Sequence, residues 1–169
     1  MKTKTISLVL CACAIIALFS ACGSKGADVR DDVPTADIAA AIGSAAGLTE
    51  GMMEAPDTYV TVNMEPEMGV TIADLSDDYT VFMNVTSVNI NEYGVFKAKD
   101  SDSAAALKTA LDAYLKYRDE SWMHTYLPEE YPKLENAATT AAGNYVIYTI
   151  LGETEAAAAV TAFEDSLKK

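Results

Sequence analysis

Acidic side chains are the first place to look for chemistry, because the chain carries 25 Asp and Glu against 12 Lys and Arg. Asp119-Glu120 and Glu129-Glu130 flank Tyr126. Carboxyl groups held roughly 5 to 9.5 Å apart can divide the acid and base roles of glycoside hydrolysis, and these pairs carry the hydrolase reading. The plainer reading is that acids at a helix end and beside Pro128 are solvated or capping groups. Other chemistries have less to stand on. His124 is the single histidine, placed beside Trp122 near a helix end as a surface or capping residue. Without a second histidine or further thiols in the mature chain, zinc sites of the N/S kind and Cys-His or Ser-His-Asp nucleophilic systems are excluded. No glycine-rich phosphate loop is present. Asp100-Ser101-Asp102 begins like a calcium-binding loop, but Ala105 stands where the turn glycine belongs and Leu111 where the bidentate Glu belongs. No catalytic residue, metal or cofactor is therefore assigned.

Cys22 is the residue with a defined chemical role. Lys2 and Lys4 precede an uncharged apolar run over residues 6–19, and Ser20-Ala21 supplies the small residues of a cleavage site, so the segment is an export signal. The run is shorter than the roughly 20 residues that span a bilayer core. Cleavage before Cys22 removes Cys11 and Cys13 and leaves one thiol, at the new N-terminus. Leu18-Phe19-Ser20-Ala21-Cys22 resembles the bacterial lipobox, with Phe19 where Leu is more usual, and implies a diacylglyceryl group on Cys22. At about 0.8 kcal/mol per buried methylene, two or three acyl chains hold a small domain on a bilayer.

The expected organisation is a signal peptide over residues 1–21, a tether over 22–34 and a single α+β domain over 35–169. The tether is small and charged, with Asp28, Asp31 and Asp32, as a solvated spacer requires. Loss of the signal removes Lys2 and Lys4 and no acid, so the mature chain is more acidic than the whole chain's −13. Such a surface repels phosphate backbones and anionic headgroups. Nucleic acid is excluded as a partner, and only the lipid on Cys22 is expected to hold the protein at the outer face of the cell membrane.

The elements that must position any site follow from periodicity. Thr35, with Asp37 in the first turn, caps a helix that Gly47 ends, and Ile38, Ala41, Ile42 and Ala45 share one face. Residues 59–64 alternate as a strand would, with Val60, Val62 and Met64 on one side, before Pro66 and Gly69 interrupt and residues 71–75 make a helical turn. Met52, Met53, Met64 and Met68 are expected to fill core gaps.

Residues 79–88 and 92–99 read as a hairpin through Asn89-Ile90-Asn91. Ser101 or Asp102 then caps a long helix with the stripe Leu107, Leu111, Tyr114, Leu115 and Trp122. Residues 126–134 are a turn-rich connection, and a second hairpin joins residues 136–140 to 145–151 through Gly143-Asn144. Residues 145–151 are apolar on both faces, as in a central strand. The last helix, over 153–169, has acids at its start and Lys168-Lys169 at its end, as the macrodipole favours. The predicted fold is α+β: an N-terminal helix, then β-β-α-β-β-α, with a mainly antiparallel sheet of about four strands carrying its helices on one face.

Residues 93–116 lie on 145–168 without a gap. Tyr93 meets Tyr145, Ala104-Ala105-Ala106 meet Ala156-Ala157-Ala158, and Leu115-Lys116 meet Leu167-Lys168. Either an internal duplication or the shared composition of alanine-rich helices accounts for this.

The runs Glu92-Tyr93-Gly94-Val95-Phe96-Lys97-Ala98-Lys99-Asp100, Tyr126-Leu127-Pro128-Glu129-Glu130-Tyr131-Pro132-Lys133-Leu134 and Gly143-Asn144-Tyr145-Val146, in this order and spacing, resemble the domain-of-unknown-function 4358 family of small Gram-positive lipoproteins. The resemblance covers residues 37–167. It implies an extracytoplasmic lipoprotein and supplies no activity, substrate or catalytic residue. It also implies short helices before the first hairpin, against the strand reading of residues 59–64.

Tyr126, Leu127, Glu129, Glu130 and Tyr131 form the candidate interaction loop, since aromatic, apolar and acidic side chains gather there on a surface connection. The alternative is that Tyr126, Leu127, Tyr131 and Leu134 pin the loop to the sheet. The expected function is a non-catalytic, lipid-anchored binding or interaction module for an envelope protein or peptide. The alternatives are a carboxylate-dependent hydrolase of a cell-envelope substrate and a purely structural spacer.

Overall fold

The computed structural model describes residues 29–169 apart from Thr49, Ser87 and His124. The signal segment, Cys22, Asp28 and the surface or capping role expected of His124 lie outside the described residues. In chain order the elements are α1 (Thr35–Ala45), β1 (Met52–Glu54), α2 (Asp57–Tyr59), a π-helical turn (Val60–Met64), α3 (Glu65–Met68), α4 (Ile72–Leu75), β2 (Ser76–Asn84), β3 (Glu92–Ala98), α5 (Ser101–Ser121), α6 (Tyr131–Glu135), β4 (Ala138–Ala142), β5 (Tyr145–Ile150) and α7 (Glu153–Ser166). The fold is α+β. Its sheet has five antiparallel strands in the order β1-β2-β3-β5-β4. The strand beyond the four expected is β1, whose three residues are too few to show an alternation.

β3 and β5 decide the layering. Successive side chains of a strand point to opposite faces, and both faces of these two strands are apolar. Tyr93, Val95, Tyr145 and Ile147 meet Ile38, Ile42, Phe163 and Leu167 of α1, α7 and the residue after it. On the other side Phe96, Val146 and Tyr148 meet Met64, Ile72, Leu107 and Leu111. Helices therefore cover both faces, which corrects the expectation of one covered face. A strand apolar on both sides needs cover on both, so the central position correctly expected for residues 145–151 already required the second layer.

Three local expectations change. Residues 59–64 are helical, as the family resemblance implied. Val60, Met64, Met68 and Ile72 recur every fourth residue on the buried face, while Val62 is 68 % exposed and Val60 only 1 %. Pro66 sits in the first turn of α3, where its missing N–H costs nothing, and Gly69 ends that helix at φ 68°. The cap of α5 is Asp100, whose carboxylate accepts the Ser103 N–H at 2.7 Å, rather than Ser101 or Asp102. Residues 29–34, expected as part of a tether, pack on the domain. Val29 pairs with Lys168, and the Val33 N–H donates to the Tyr145 hydroxyl at 3.0 Å.

The two hairpin–helix units agree in order and differ in hand. Leu107, Leu111 and Leu115 are buried, as are the corresponding Ala159, Phe163 and Leu167. Yet α5 packs on one face of the sheet and α7 on the other. The units do not superpose as a duplication would require.

Gly94 marks the tightest place in the sheet. A Cβ there would lie 2.5 Å from Tyr148 Cε1, 3.0 Å from Phe96 Cε2 and 3.1 Å from Val81 Cγ2. These groups are packed in the core and have nowhere to move. Gly94→Ala is expected to lower stability by about 1–3 kcal/mol, read as a lower urea midpoint with unchanged slope.

Candidate functional site

β3 begins with an acid on the side of the strand that also carries Gly94, Phe96 and Ala98. Glu92 is 2 % exposed, under α5 and the π-helical turn. A carboxylate there needs donors in place of water, and they arrive from separate elements. Its Oε1 accepts the hydroxyls of Tyr114 on α5 and Tyr148 on β5, both at 2.7 Å. Its Oε2 accepts the Tyr59 hydroxyl of α2 at 3.1 Å and Nη1 of Arg118 on α5.

The positions follow from local geometry. Tyr114 and Arg118 are one helical turn apart, so both reach down the same face of α5. Arg118 Nη1 also donates to the Tyr114 hydroxyl at 2.7 Å, and the guanidinium lies 5.7 Å from the centre of that ring. Tyr148 sits opposite Gly94 in the β3–β5 register. Only the absence of a side chain at Gly94 lets the Tyr148 ring cross to Glu92.

The electrostatics match this geometry. Burial pushes the Tyr148 and Tyr114 hydroxyls well above their ordinary value, and the negative Glu92 adds to it. Tyr59 moves the same way for the same two causes, first burial and then Glu92. Burial is the largest influence on Arg118 and works against its charge, but Glu92, Tyr114 and Tyr59 together more than offset it and hold Arg118 above its ordinary value. All four partners stay protonated and donate or accept in fixed directions, so Glu92 positions groups and has no oxygen left over as a general base.

Tyr59, Tyr114 and Arg118 leave the network at a cleft of about 300 Å³ between the π-helical turn and α5, where Asn63, Glu67 and Tyr117 also line the wall.

A family model described as a domain of unknown function, DUF4358, matches residues 60–151, more than half of the chain. The chain belongs to the DUF4358 family. The DUF4358 segment runs from the π-helical turn to the end of β5 and holds Glu92, Tyr114, Arg118 and Tyr148, with Tyr59 immediately before it. It is narrower than residues 37–167, leaving α1 and α7 outside. No curated protein and no solved structure matches this DUF4358 chain.

The acids singled out in the sequence are engaged separately. Glu120 pairs with Lys116 at 3.5 Å on the surface, and Asp119 receives the Tyr131 hydroxyl. Glu130 is a buried anchor for the β2–β3 loop, accepting the Ile90 N–H at 2.9 Å and Lys133 Nζ at 2.7 Å. Glu129 is exposed. Within the candidate interaction loop, Leu127 is left-handed at φ 46°, and Tyr126 is half exposed with its ring 5.9 Å from Trp122. Tyr131 and Leu134 pack on the core. Pinning thus accounts for Glu130, Tyr131 and Leu134, and leaves Tyr126 and Glu129 outward.

The Glu92 network has no compact sequence signature, because its members are far apart in the chain. Its readable signals were an acid opening an otherwise apolar strand and the one-turn spacing of Tyr114 and Arg118.

Two outcomes follow from a saturated buried carboxylate. Arg118→Ala leaves Glu92 without its cation and is expected to cost about 3–5 kcal/mol, while the surface change Glu129→Gln stays within about 0.5 kcal/mol, both read by urea titration. The second concerns pH. A tyrosine raised above its unfolded value near 10 contributes stability that is complete below pH ~10 and is lost as pH rises through the folded value. Tyr93 is pushed by burial up to about 12, and Tyr114 and Tyr148 are raised as well. Stability is expected to be insensitive to these groups at neutral pH and to fall between about pH 10 and 12, as tyrosinate absorbance appears together with unfolding.

Proposed function

We propose that this DUF4358 protein is a lipid-anchored, extracytoplasmic module that binds a partner or ligand at the cell envelope and performs no catalysis. What carries the reading is the state of Glu92. Its oxygens are occupied by donors from Tyr59, Tyr114, Arg118 and Tyr148, so Glu92 fixes the hydrogen-bonding groups that reach the adjoining cleft and has no oxygen free to act there. The hydrolase alternative is weaker because Glu130 is committed to Lys133 and Ile90.

The address rests on Cys22 behind its apolar run. Orientation fits it. The chain enters the domain at Val29, against Lys168, and the Asp31 carbonyl receives Lys97 Nζ at 2.8 Å near the end of β3. Glu92 opens β3 at its other end. An anchor on Cys22 therefore leaves the cleft at the end of the sheet remote from the tether.

Metabolic labelling with a fatty-acid analogue tests the address: Cys22→Ala is expected to abolish labelling, and labelled mutant protein would overturn it. Affinity capture from detergent-solubilised membranes tests the binding role. Specific enrichment of a partner is expected; turnover of a wall polymer by the purified chain, with nothing enriched, would overturn it.

A further inference from the structure

We infer that the cleft between the π-helical turn and α5 is a saccharide site, an assignment that rests on the binding-module reading and gives its ligand a chemical class. π-helical turns are rare and recur at functional sites. This one presents Val62 and Asn63 at the cleft, and α3 adds Glu67. The facing wall comes from α5, with Tyr117, Arg118 and Ser121.

Charge narrows the ligand first. The Arg118 charge is already matched by buried Glu92, so an anion gains little there and meets Glu67 on a chain of net charge −13. A cation is offered Glu67 alone, since the Glu92 charge is matched by Arg118. A neutral ligand needs neither charge.

The polar groups narrow it further. Asn63 spends one amide proton on the Tyr59 carbonyl at 3.2 Å and keeps its carbonyl and second N–H. Ser121 gives its proton to the Arg118 carbonyl at 3.3 Å and keeps acceptor capacity. Glu67 accepts and Arg118 donates. Mixed donors and acceptors suit hydroxyls, each of which does both.

Beside them stand apolar surfaces, the Tyr117 ring at 41 % exposure and the Val62 methyls at 68 %. A ligand with a C–H face and a hydroxyl rim matches this pairing, which is the description of a pyranose ring. The volume of about 300 Å³ is at the lower end for small-molecule sites. It admits a sugar unit of a glycan and is too small for a partner's helix.

The test uses the full chain in detergent micelles, titrated by calorimetry with chitotetraose, cellotetraose, maltotetraose and, separately, tetra-alanine. Saturable binding of at least one glycan is expected. Tyr117→Ala should weaken it by about tenfold or more, while Glu164→Ala, exposed on α7 at the other face of the sheet, leaves it unchanged. No saturable glycan binding, or equal binding by Tyr117→Ala, would overturn the assignment. So would binding of tetra-alanine alone, an outcome that keeps the binding-module reading and removes its saccharide ligand. Failure of membrane capture together with glycan binding here would separate the two in the opposite sense.

Discussion

Taking a carboxylate out of water costs several kcal/mol unless donors and a cation replace the hydration, and Glu92 is 2 % exposed. That requirement couples segments that are distant in the chain. Tyr59 before the π-helical turn, Tyr114 and Arg118 on α5, and Tyr148 on β5 must all arrive for the charge to be tolerated. An apolar contact makes no such demand. The stripe Leu107, Leu111 and Leu115 repeats every turn, and with alanines between its members it could pack almost as well after a one-turn slip of α5. The same slip would carry Tyr114 and Arg118 about 5.4 Å along the helix axis and leave Glu92 unpaired. The hydrophobic stripe holds α5 to the sheet, and the carboxylate sets its register.

The sequence was legible where a single period ran unbroken. Tyr145–Ile150 stood out by its two apolar faces, and the α5 stripe by its four-residue spacing. Residues 59–64 resemble a strand because Val60, Val62 and Met64 satisfy an alternation by accident. The true signal, Val60-Met64-Met68-Ile72, crosses Pro66 and Gly69, which usually end a pattern. Here Pro66 lies in the first turn of α3 and Gly69 is its left-handed stop, so both punctuate a series of short helices on one buried line. The site was illegible for a different reason. Its residues lie between positions 59 and 148, and only strand pairing and helix docking bring them together.

The opposite hands of the two hairpin–helix units have a local origin. Tyr93 corresponds to Tyr145 and Val95 to Ile147, on the same face of adjacent strands. The chains part at the residues that follow. Lys99 is exposed and Asp100 adopts φ −159°, ψ −178°, whereas Leu151 is buried and Gly152 adopts φ −61°, ψ 159°. Burying Leu151 draws its helix to the α1 side. A Lys at the equivalent place cannot be drawn in, and the Asp100 cap starts α5 on the other side. Similar helices can thus cover opposite faces of one sheet on the choice of two linker residues, and sequence similarity between them carries little information about hand.

Scarce cations show how an acid-rich chain arranges its charge. Glu92 and Glu130 are the buried carboxylates among the described residues, and each takes a basic partner inward, Arg118 for one and Lys133 for the other. Lys97 and Lys99 are turned onto backbone, donating to the Asp31 carbonyl at 2.8 Å and the Ala73 carbonyl at 2.7 Å. Arg30, Lys168 and Lys169 gather at one end of the fold with Asp31 and Asp32 among them. Polybasic attraction contributes about 1 kcal/mol per Lys or Arg near an anionic membrane, and here Asp32 beside Arg30 and Asp165 beside Lys168 offset it. The described chain enters the fold at that end, where Val29 is fastened to Lys168 beside the C-terminal end of α7, and the Glu92 cleft lies at the far end of β3 from it.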